Sequence, residues 1–168
     1  MEGTKKLMDG VFRNPTVEFL KDIDWEWTEK VDGTNVRIYW DGHKVEFGGR
    51  TDKAQLPSAL VEKLNEYFGG ETNAQLFEQT FGEREVIIFG EGYGAKIQSG
   101  GAYVDDGKSV DFIMFDLMIG NNYQDRDSVA KCATTFGVKT VPIVGHGIVN
   151  EAIDYVKSHP MSHLGNGT

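Results

Sequence analysis

The sequence predicts an α+β fold in which helices cover antiparallel β-sheets. Apolar residues alternate with a period of two in short segments between Trp25 and Arg50, and the hairpin signal Asp41-Gly42 separates two of these segments. Helical apolar spacing then occupies residues 57–81, and further strand-like runs follow it. These observations favour a mixed fold with hairpin-connected strands.

The N-terminal part should consist of a lead-in and a meander. Residues 1–22 are expected to be irregular or a short helix. From Trp25 to Arg50 we predict a three-stranded antiparallel meander with turns at Asp32-Gly33 and Asp41-Gly42. The third strand ends in Gly48-Gly49-Arg50, where paired glycines let the backbone bend and approach a ligand. Arg50 should therefore lie at a strand end.

Two helices should cover this sheet. Pro57 opens the first and Gly69 ends it. Thr72 and Gln75 resemble a capping box for the second, which Gly82 closes. Their apolar faces are Leu60, Val61, Leu64, Tyr67 and Phe68 in the first helix and Leu76, Phe77 and Phe81 in the second.

A buried strand, residues 85–89, then leads into Gly90-Glu91-Gly92-Tyr93-Gly94. A carboxylate among three glycines suggests a backbone bent around a ligand, although a solvent-exposed glycine turn is the simpler alternative. A strongly apolar strand, residues 110–119, should be central in the sheet.

The sequence pattern in the last third of the chain predicts a helix, a strand and a second helix. The helix covers 128–136 and stops at Gly137, the strand covers 138–144 and is broken by Pro142, and Asn150 is expected to cap the final helix. The tail, residues 165–168, is expected to fray.

Composition limits the classes of function. The chain has 168 residues, enough for one domain, and its formal charge of −9 argues against broad, non-specific attraction to nucleic acid while allowing a local positive pocket. It has no apolar run near the roughly 20 residues that span a bilayer and no signal-peptide core, so we predict a cytoplasmic protein without membrane association. Cys132, the only cysteine, excludes an intrachain disulfide and falls in an apolar helical stripe, which indicates packing.

Lys30 is the first candidate for chemistry. It stands two residues before Asp32-Gly33, where a strand is expected to end. An amine that is desolvated or lies beside other cations can lose its proton and act as a nucleophile. Alone, the same residues are equally a plain hairpin signal.

Four segments taken together resemble the ordered motifs of the covalent nucleotidyltransferases, the superfamily of ATP-dependent DNA ligases, RNA ligases and mRNA capping enzymes. The Gly-Thr-Asn ending of the first is similar to the RNA ligase 2-like branch, since DNA ligases more often have Arg at the position of Asn35. Ile97-Gln98 and Thr135-Phe136 extend the similarity, which covers roughly residues 25–150. The motifs are Lys30-Val31-Asp32-Gly33-Thr34-Asn35, then Arg50 after two glycines, Phe89-Gly90-Glu91-Gly92 and Met114-Phe115-Asp116.

The resemblance implies an ATP-grasp-like nucleotidyltransferase (adenylation) fold and an ATP-dependent RNA ligase that uses Mg²⁺. Lys30 would attack the α-phosphate of ATP, expel pyrophosphate and hold AMP as a phosphoramidate. The AMP would pass to an RNA 5′-phosphate before a 3′-hydroxyl seals the strand. It further implies that Asn35 and Arg50 contact ribose or phosphate, that Glu91 binds the ribose hydroxyls, and that Phe115 stacks on adenine; Glu29 either touches the base edge or faces water.

The residue types suit these implied roles. A lysine with a pKa of about 10.4 is nearly all protonated at neutral pH, so nearby positive charge from Arg50 and Mg²⁺ would favour the nucleophilic form. Glu91 can accept two vicinal hydroxyl groups, and Phe115 offers a ring face to a purine, unless it is simply a core aromatic. Arg37 shares the strand face of Asn35, where it either contacts phosphate or is solvated.

Two further motifs of the superfamily have no counterpart here: a Glu-Gly-apolar strand that helps to place the metal and a Lys-x-Lys strand that contacts the α-phosphate. We therefore expect residues 1–168 to be a single adenylation domain, incomplete at its C-terminus, in which AMP transfer is slow. The alternative is a nucleotide- or nucleic-acid-binding module that lacks ligase activity or needs a partner for these motifs. His159 and His163 have the spacing of a helical metal pair, but Pro160 would disrupt a helix between them.

Overall fold

A computed structural model describes residues 10–51 and 53–164. These residues form two compact units, and among them no helix is long and apolar enough to cross a bilayer. The small unit comprises residues 10–28 and 143–160, and the large unit comprises 29–142 and 161–164. The expected fraying of residues 165–168 lies outside the described residues, as do residues 1–9 of the N-terminal lead-in.

The helices are α1 (Pro15–Phe19), α2 (Ser58–Phe68), α3 (Gly70–Phe81), α4 (Arg126–Phe136) and α5 (Val149–Lys157), with a 3₁₀ turn at Gly100–Tyr103. The strands are β1 (Trp25–Thr28), β2 (Thr34–Trp40), β3 (Val45–Gly48), β4 (Val86–Gly94), β5 (Val110–Ile119), β6 (Asn122–Tyr123), β7 (Lys139–Thr140) and β8 (Ile143–Gly147). The α+β class with antiparallel strands and covering helices is confirmed.

The large unit is built on one sheet in the order β3-β2-β4-β5-β6, with every pair antiparallel, and β7 adds to β5 in parallel. The hairpin between β2 and β3 turns at Asp41-Gly42 as predicted, because the Asp41 carboxylate accepts the amide N–H groups of His43 and Lys44 at 2.9 Å each. β5 lies inside the sheet, between β4 and β6, which confirms that it is a central strand.

One face of this sheet packs against α2, α3 and α4 in the main hydrophobic core. The predicted apolar faces of α2 and α4 are confirmed: Leu60, Leu64 and Phe68 of α2 are buried, and Cys132 of α4 is buried, which raises the pKa of its thiol to about 12. α3 ends at Gly82 as predicted, but it begins at Gly70 without a side-chain cap, so the capping box at Thr72 is wrong.

The opposite face of the sheet carries polar and aromatic side chains. Along β2, Val36, Ile38 and Trp40 are buried, and Asn35, Arg37 and Tyr39 between them are half-buried. Because strand residues alternate between faces, these three point away from the helices. Asn35 pairs with Glu91 on β4 and Arg37 pairs with Phe89, so the same face continues across the sheet.

A β-bulge in β5 changes this alternation at Phe115. Gly90 pairs with Met114 and Phe89 pairs with Asp116, so Phe115 is an extra residue without a partner on β4. Phe115 packs against a second, smaller core that consists of Val31, Tyr93, Ile113 and Val141. This small core therefore contains the residue that follows Lys30.

The predicted three-stranded meander is wrong at its first strand. β1 does not pair with β2; it pairs antiparallel with β8 in the small unit, with Trp25 opposite Gly147. Alternation along a strand shows which residues share a face but not which strand is the partner. The strand predicted at 138–144 is broken at Pro142, as expected, and its two parts, β7 and β8, belong to different units.

In the small unit, α1 is the short helix expected within the lead-in, and Asn14 caps it by accepting the Thr16 amide at 2.9 Å. Trp27 donates from Nε1 to the Gly147 carbonyl at 3.2 Å. Asn150 does not cap the last helix: α5 begins at Val149, and the Glu151 carboxylate accepts the Ile148 amide N–H at 2.9 Å.

Candidate functional site

Lys30 is exposed and lies in the connection of residues 29–33, which is held by contacts with other parts of the large unit. The next residue, Val31, is only 3% exposed. The Asp32 amide N–H donates to the Tyr103 hydroxyl at 3.3 Å, and the Asp32 carboxylate accepts the Ser99 amide at 3.2 Å. Lys30 thus projects from a connection whose backbone is fixed next to it.

Gly33 ends this connection against β4. A Cβ atom at Gly33 would lie 2.2 Å from the Gly92 carbonyl oxygen, so only glycine fits there. The close approach brings the Gly33 amide N–H onto the Glu91 carboxylate. Asp32-Gly33, which resembled a hairpin turn, is therefore the place where the Lys30 connection packs against β4.

Glu91 and Asn35 are direct neighbours across β2 and β4. Burial raises the pKa of the half-buried Glu91 carboxyl above its ordinary value, and the negative charge of Asp32 adds a smaller increase. The positive charge of Lys30 and the Gly33 amide oppose this increase. Asn35 and Glu91 are therefore adjacent, and the charge of Lys30 acts on the Glu91 carboxyl.

The glycines around Glu91 have a different role from the one expected. β4 continues as a regular strand to Gly94, and no bent loop surrounds Glu91. A Cβ atom at Gly90 would lie 2.2 Å from the Phe112 ring, and one at Gly92 would lie 2.3 Å from the Leu60 side chain. Because Gly90 and Gly92 have no side chains, Phe112 and Leu60 of the main core pack directly on them at one face of the sheet. Glu91 points to the other face.

Arg50 is exposed directly after β3, and Arg37 holds the bend before it. The Arg37 Nε–H donates to the Gly49 carbonyl at 2.8 Å, and Arg37 also lines a cavity of about 300 Å³ on the open face of the sheet. Gly49 is buried, and a Cβ atom there would lie 2.7 Å from the Ala54 Cβ. Arg37 is therefore tied to the strand end that presents Arg50.

Phe115 is half-buried on the small core that also holds Val31. Phe112, three residues earlier, is fully buried in the main core on the other face, because residues an odd number of positions apart on a strand point to opposite faces. Phe115 thus keeps a partly exposed ring in the core that anchors the Lys30 connection.

Glu29 binds residues 162–164, a segment that no motif of the sequence connects with Lys30. Its carboxylate accepts hydrogen bonds from the Ser162 hydroxyl, from the His163 amide at 2.9 Å and from the Leu164 amide at 3.3 Å. These residues lie more than 130 positions away in the sequence, and no local pattern in either segment indicates the contact.

Metal ligands from the protein alone are sparse. Among residues 10–51 and 53–164, no three His, Cys, Asp or Glu side chains form a group that could hold a metal ion. His163 contributes its amide N–H to Glu29, and His159 follows the end of α5.

Solved structures of the Naegleria gruberi RNA ligase share this fold. A point variant with ATP and Mn gives a TM-score of 0.68 at 22% identity, another with AMP and Mn gives 0.67 at 21%, and the ligase with PPi gives 0.65 at 23%. Each comparison covers 91% of this chain and 46% of the ligase chain, so the chain spans about half the length of these proteins. The fold is that of the nucleotidyltransferase (adenylation) domain of RNA ligases.

The sequence also identifies the family to which the chain belongs. The family model described as RNA ligase matches residues 23–165, most of the chain. This protein belongs to the RNA ligase family. No curated protein matches the chain.

Proposed function

We propose that this protein is an ATP-dependent RNA ligase that forms a covalent lysyl-AMP intermediate on Lys30. The observation that carries the proposal is that the connection with Lys30 ends at Gly33 against the Glu91 side chain, and that Glu91 pairs with Asn35 across β2 and β4. Family membership and the solved ligase structures with ATP, AMP and PPi support it.

In the first step, the neutral amine of Lys30 attacks the α-phosphorus of ATP. The Nζ–P bond forms, the bond from that phosphorus to the bridging oxygen breaks, and pyrophosphate leaves with the bonding electrons. The lysine must release a proton, which the solvent can accept because Lys30 is exposed. Positive charge from Arg50 at the end of β3 would stabilise the phosphates and favour the neutral amine.

In the later steps, an oxygen of an RNA 5′-phosphate attacks the lysine-bound phosphorus and the amine leaves. A 3′-hydroxyl then attacks the activated 5′-phosphate, which closes the phosphodiester and releases AMP. Throughout, Glu91 would accept hydrogen bonds from the ribose hydroxyls, Asn35 would contact ribose or phosphate, and Phe115 would stack on adenine at roughly 1–3 kcal/mol. Glu29 is the candidate for the base edge, with the one acceptor site of about four that Ser162, His163 and Leu164 leave on its carboxylate.

A divalent cation fits this site only together with the nucleotide. The described residues hold no group of three His, Cys, Asp or Glu side chains, whereas Mg²⁺ commonly binds through one or two carboxylates plus phosphate oxygens and water, of which Glu91 would supply one. When bound, the cation would neutralise phosphate charge. Mg²⁺ is our proposal, whereas the solved ligase structures with ATP or AMP contain Mn.

The direct test incubates the protein with Mg²⁺ and ATP labelled in its α-phosphate. We expect protein-bound label that withstands alkali and is removed by acid or acidic hydroxylamine, as from a phosphoramidate, and no label in Lys30→Ala. Lys21→Ala is the matched control, since Lys21 belongs to the small unit and should leave labelling unchanged. Label retained in Lys30→Ala would remove Lys30 from the mechanism.

The second candidate function is a nucleotide- or RNA-binding module without ligase activity. Binding of ATP without any transfer of label to Lys30 would identify this function.

A further inference from the structure

Glu29, directly before Lys30, binds the chain from two sides within the large unit. Its amide N–H donates to the Pro142 carbonyl at 2.9 Å. Its carboxylate accepts the Ser162 hydroxyl and the amides of His163 and Leu164, and the Ser162 Oγ also accepts the Leu164 amide at 3.1 Å. We call residues 162–164 the C-terminal clamp.

The clamp also contacts the residue that follows Lys30, through the small core. Leu164 packs against the core of Val31, Tyr93, Ile113 and Val141, where Phe115 packs as well. The clamp therefore bonds to Glu29 on one side of Lys30 and shares a core with Val31 on the other. This arrangement restrains the backbone of Lys30 at both neighbours.

We propose that Ser162 is a positioning residue for the reaction at Lys30 and acts through Glu29. The inference rests on the proposed function and extends it to a segment that carries none of the recognised motifs. Its physical basis is that a nucleophile must be held close to its target, and a displacement of about 1 Å can cost roughly 10²-fold in rate. A hydroxyl that donates to a carboxylate makes one of the stronger hydrogen bonds available to hold such a segment.

The test is a double-mutant cycle on the rate of Lys30 adenylylation in a single turnover. Ser162→Ala should slow this rate roughly tenfold at saturating ATP, as expected for the loss of a hydrogen bond to a charged group, and leave the half-saturating ATP concentration unchanged. Ser162→Thr keeps the hydroxyl and should restore most of the rate. Adding Ser162→Ala to Glu29→Ala should slow the reaction no further.

Ser158→Ala is the matched control, since the Ser158 hydroxyl donates only to the Tyr155 carbonyl at the end of α5, and it should label at the wild-type rate. A wild-type rate in Ser162→Ala, or fully multiplicative effects in the double variant, would overturn the inference while leaving the proposed function standing. Wild-type protein that takes no label would instead overturn the proposed function, and the role of Ser162 with it.

Discussion

At the scale of single residues, burial of the Glu91 carboxyl in the candidate site lowers the stability of the fold. Burial raises the pKa of its carboxyl, which means that the folded protein disfavours the charged form more than the unfolded chain does. The charged carboxylate therefore destabilises the fold at neutral pH. This cost disappears as the pH falls through the raised pKa and the group is protonated in both states.

Glu91→Gln should accordingly raise the melting temperature at pH 7, because the amide keeps an oxygen for the Gly33 N–H without the buried charge. The gain should shrink as the pH is lowered towards 4, and ATP-dependent labelling of Lys30 should fall. Thermal unfolding across this pH range checks the prediction, with the exposed Glu83→Gln as control. A lower melting temperature at pH 7 would contradict it.

At the scale of elements, β4 joins the helix-covered core to the candidate site. Phe112 packs on Gly90 and Leu60 packs on Gly92 at one face of β4. Glu91, between the two glycines, points to the other face. Gly90→Ala should reduce the free energy of unfolding by about 1–3 kcal/mol or more, since its Cβ would lie 2.2 Å from the Phe112 ring and 2.4 Å from the Ile113 carbonyl oxygen.

Denaturant unfolding measures this change. Gly101→Ala is the control, since a Cβ atom there would have no neighbour within 4 Å and the residue has no positive φ. Equal stabilities of the two variants would show that β4 and β5 can separate enough to accept a methyl group, contrary to the packing described above.

Local patterns predicted the elements better than their partners. The β2–β3 hairpin and the face of α2 follow from turn chemistry and periodicity, both of which depend on neighbours in sequence. The pairing of β1 with β8 depends on residues more than 100 positions apart, and no local signal encodes it. The bulge at Phe115 was missed for a related reason, since an extra residue is visible only against its partner strand.

The same distinction holds for the candidate site. Lys30, Asn35 and Glu91 were predicted to act together through an ordered resemblance, and the pairing of Asn35 with Glu91 brings two of them side by side. The hydrogen bonds from Ser99 to Asp32, from Asp32 to Tyr103, and from the C-terminal clamp to Glu29 carry no sequence signature. They are supporting contacts that tertiary structure alone reveals.

At the scale of the whole molecule, a net charge of −9 coexists with cations placed around one site. Lys30 and Arg50 are exposed on the large unit, and Arg37 is fixed near Arg50 through Gly49. Any attraction for phosphate must therefore be local, which suits recognition of a nucleotide or a strand end better than of a long nucleic-acid backbone. The family assignment agrees with this distribution.

Mass spectrometry of the protein after incubation with ATP and Mg²⁺ tests the central claim most directly, because it identifies both the adduct and the residue that carries it. We predict a mass increase of one adenylyl group, located by peptide mapping on the segment that contains Lys30 and absent from Lys30→Ala. An adenylyl group on a different lysine, or protein that binds ATP and stays unmodified, would contradict the account.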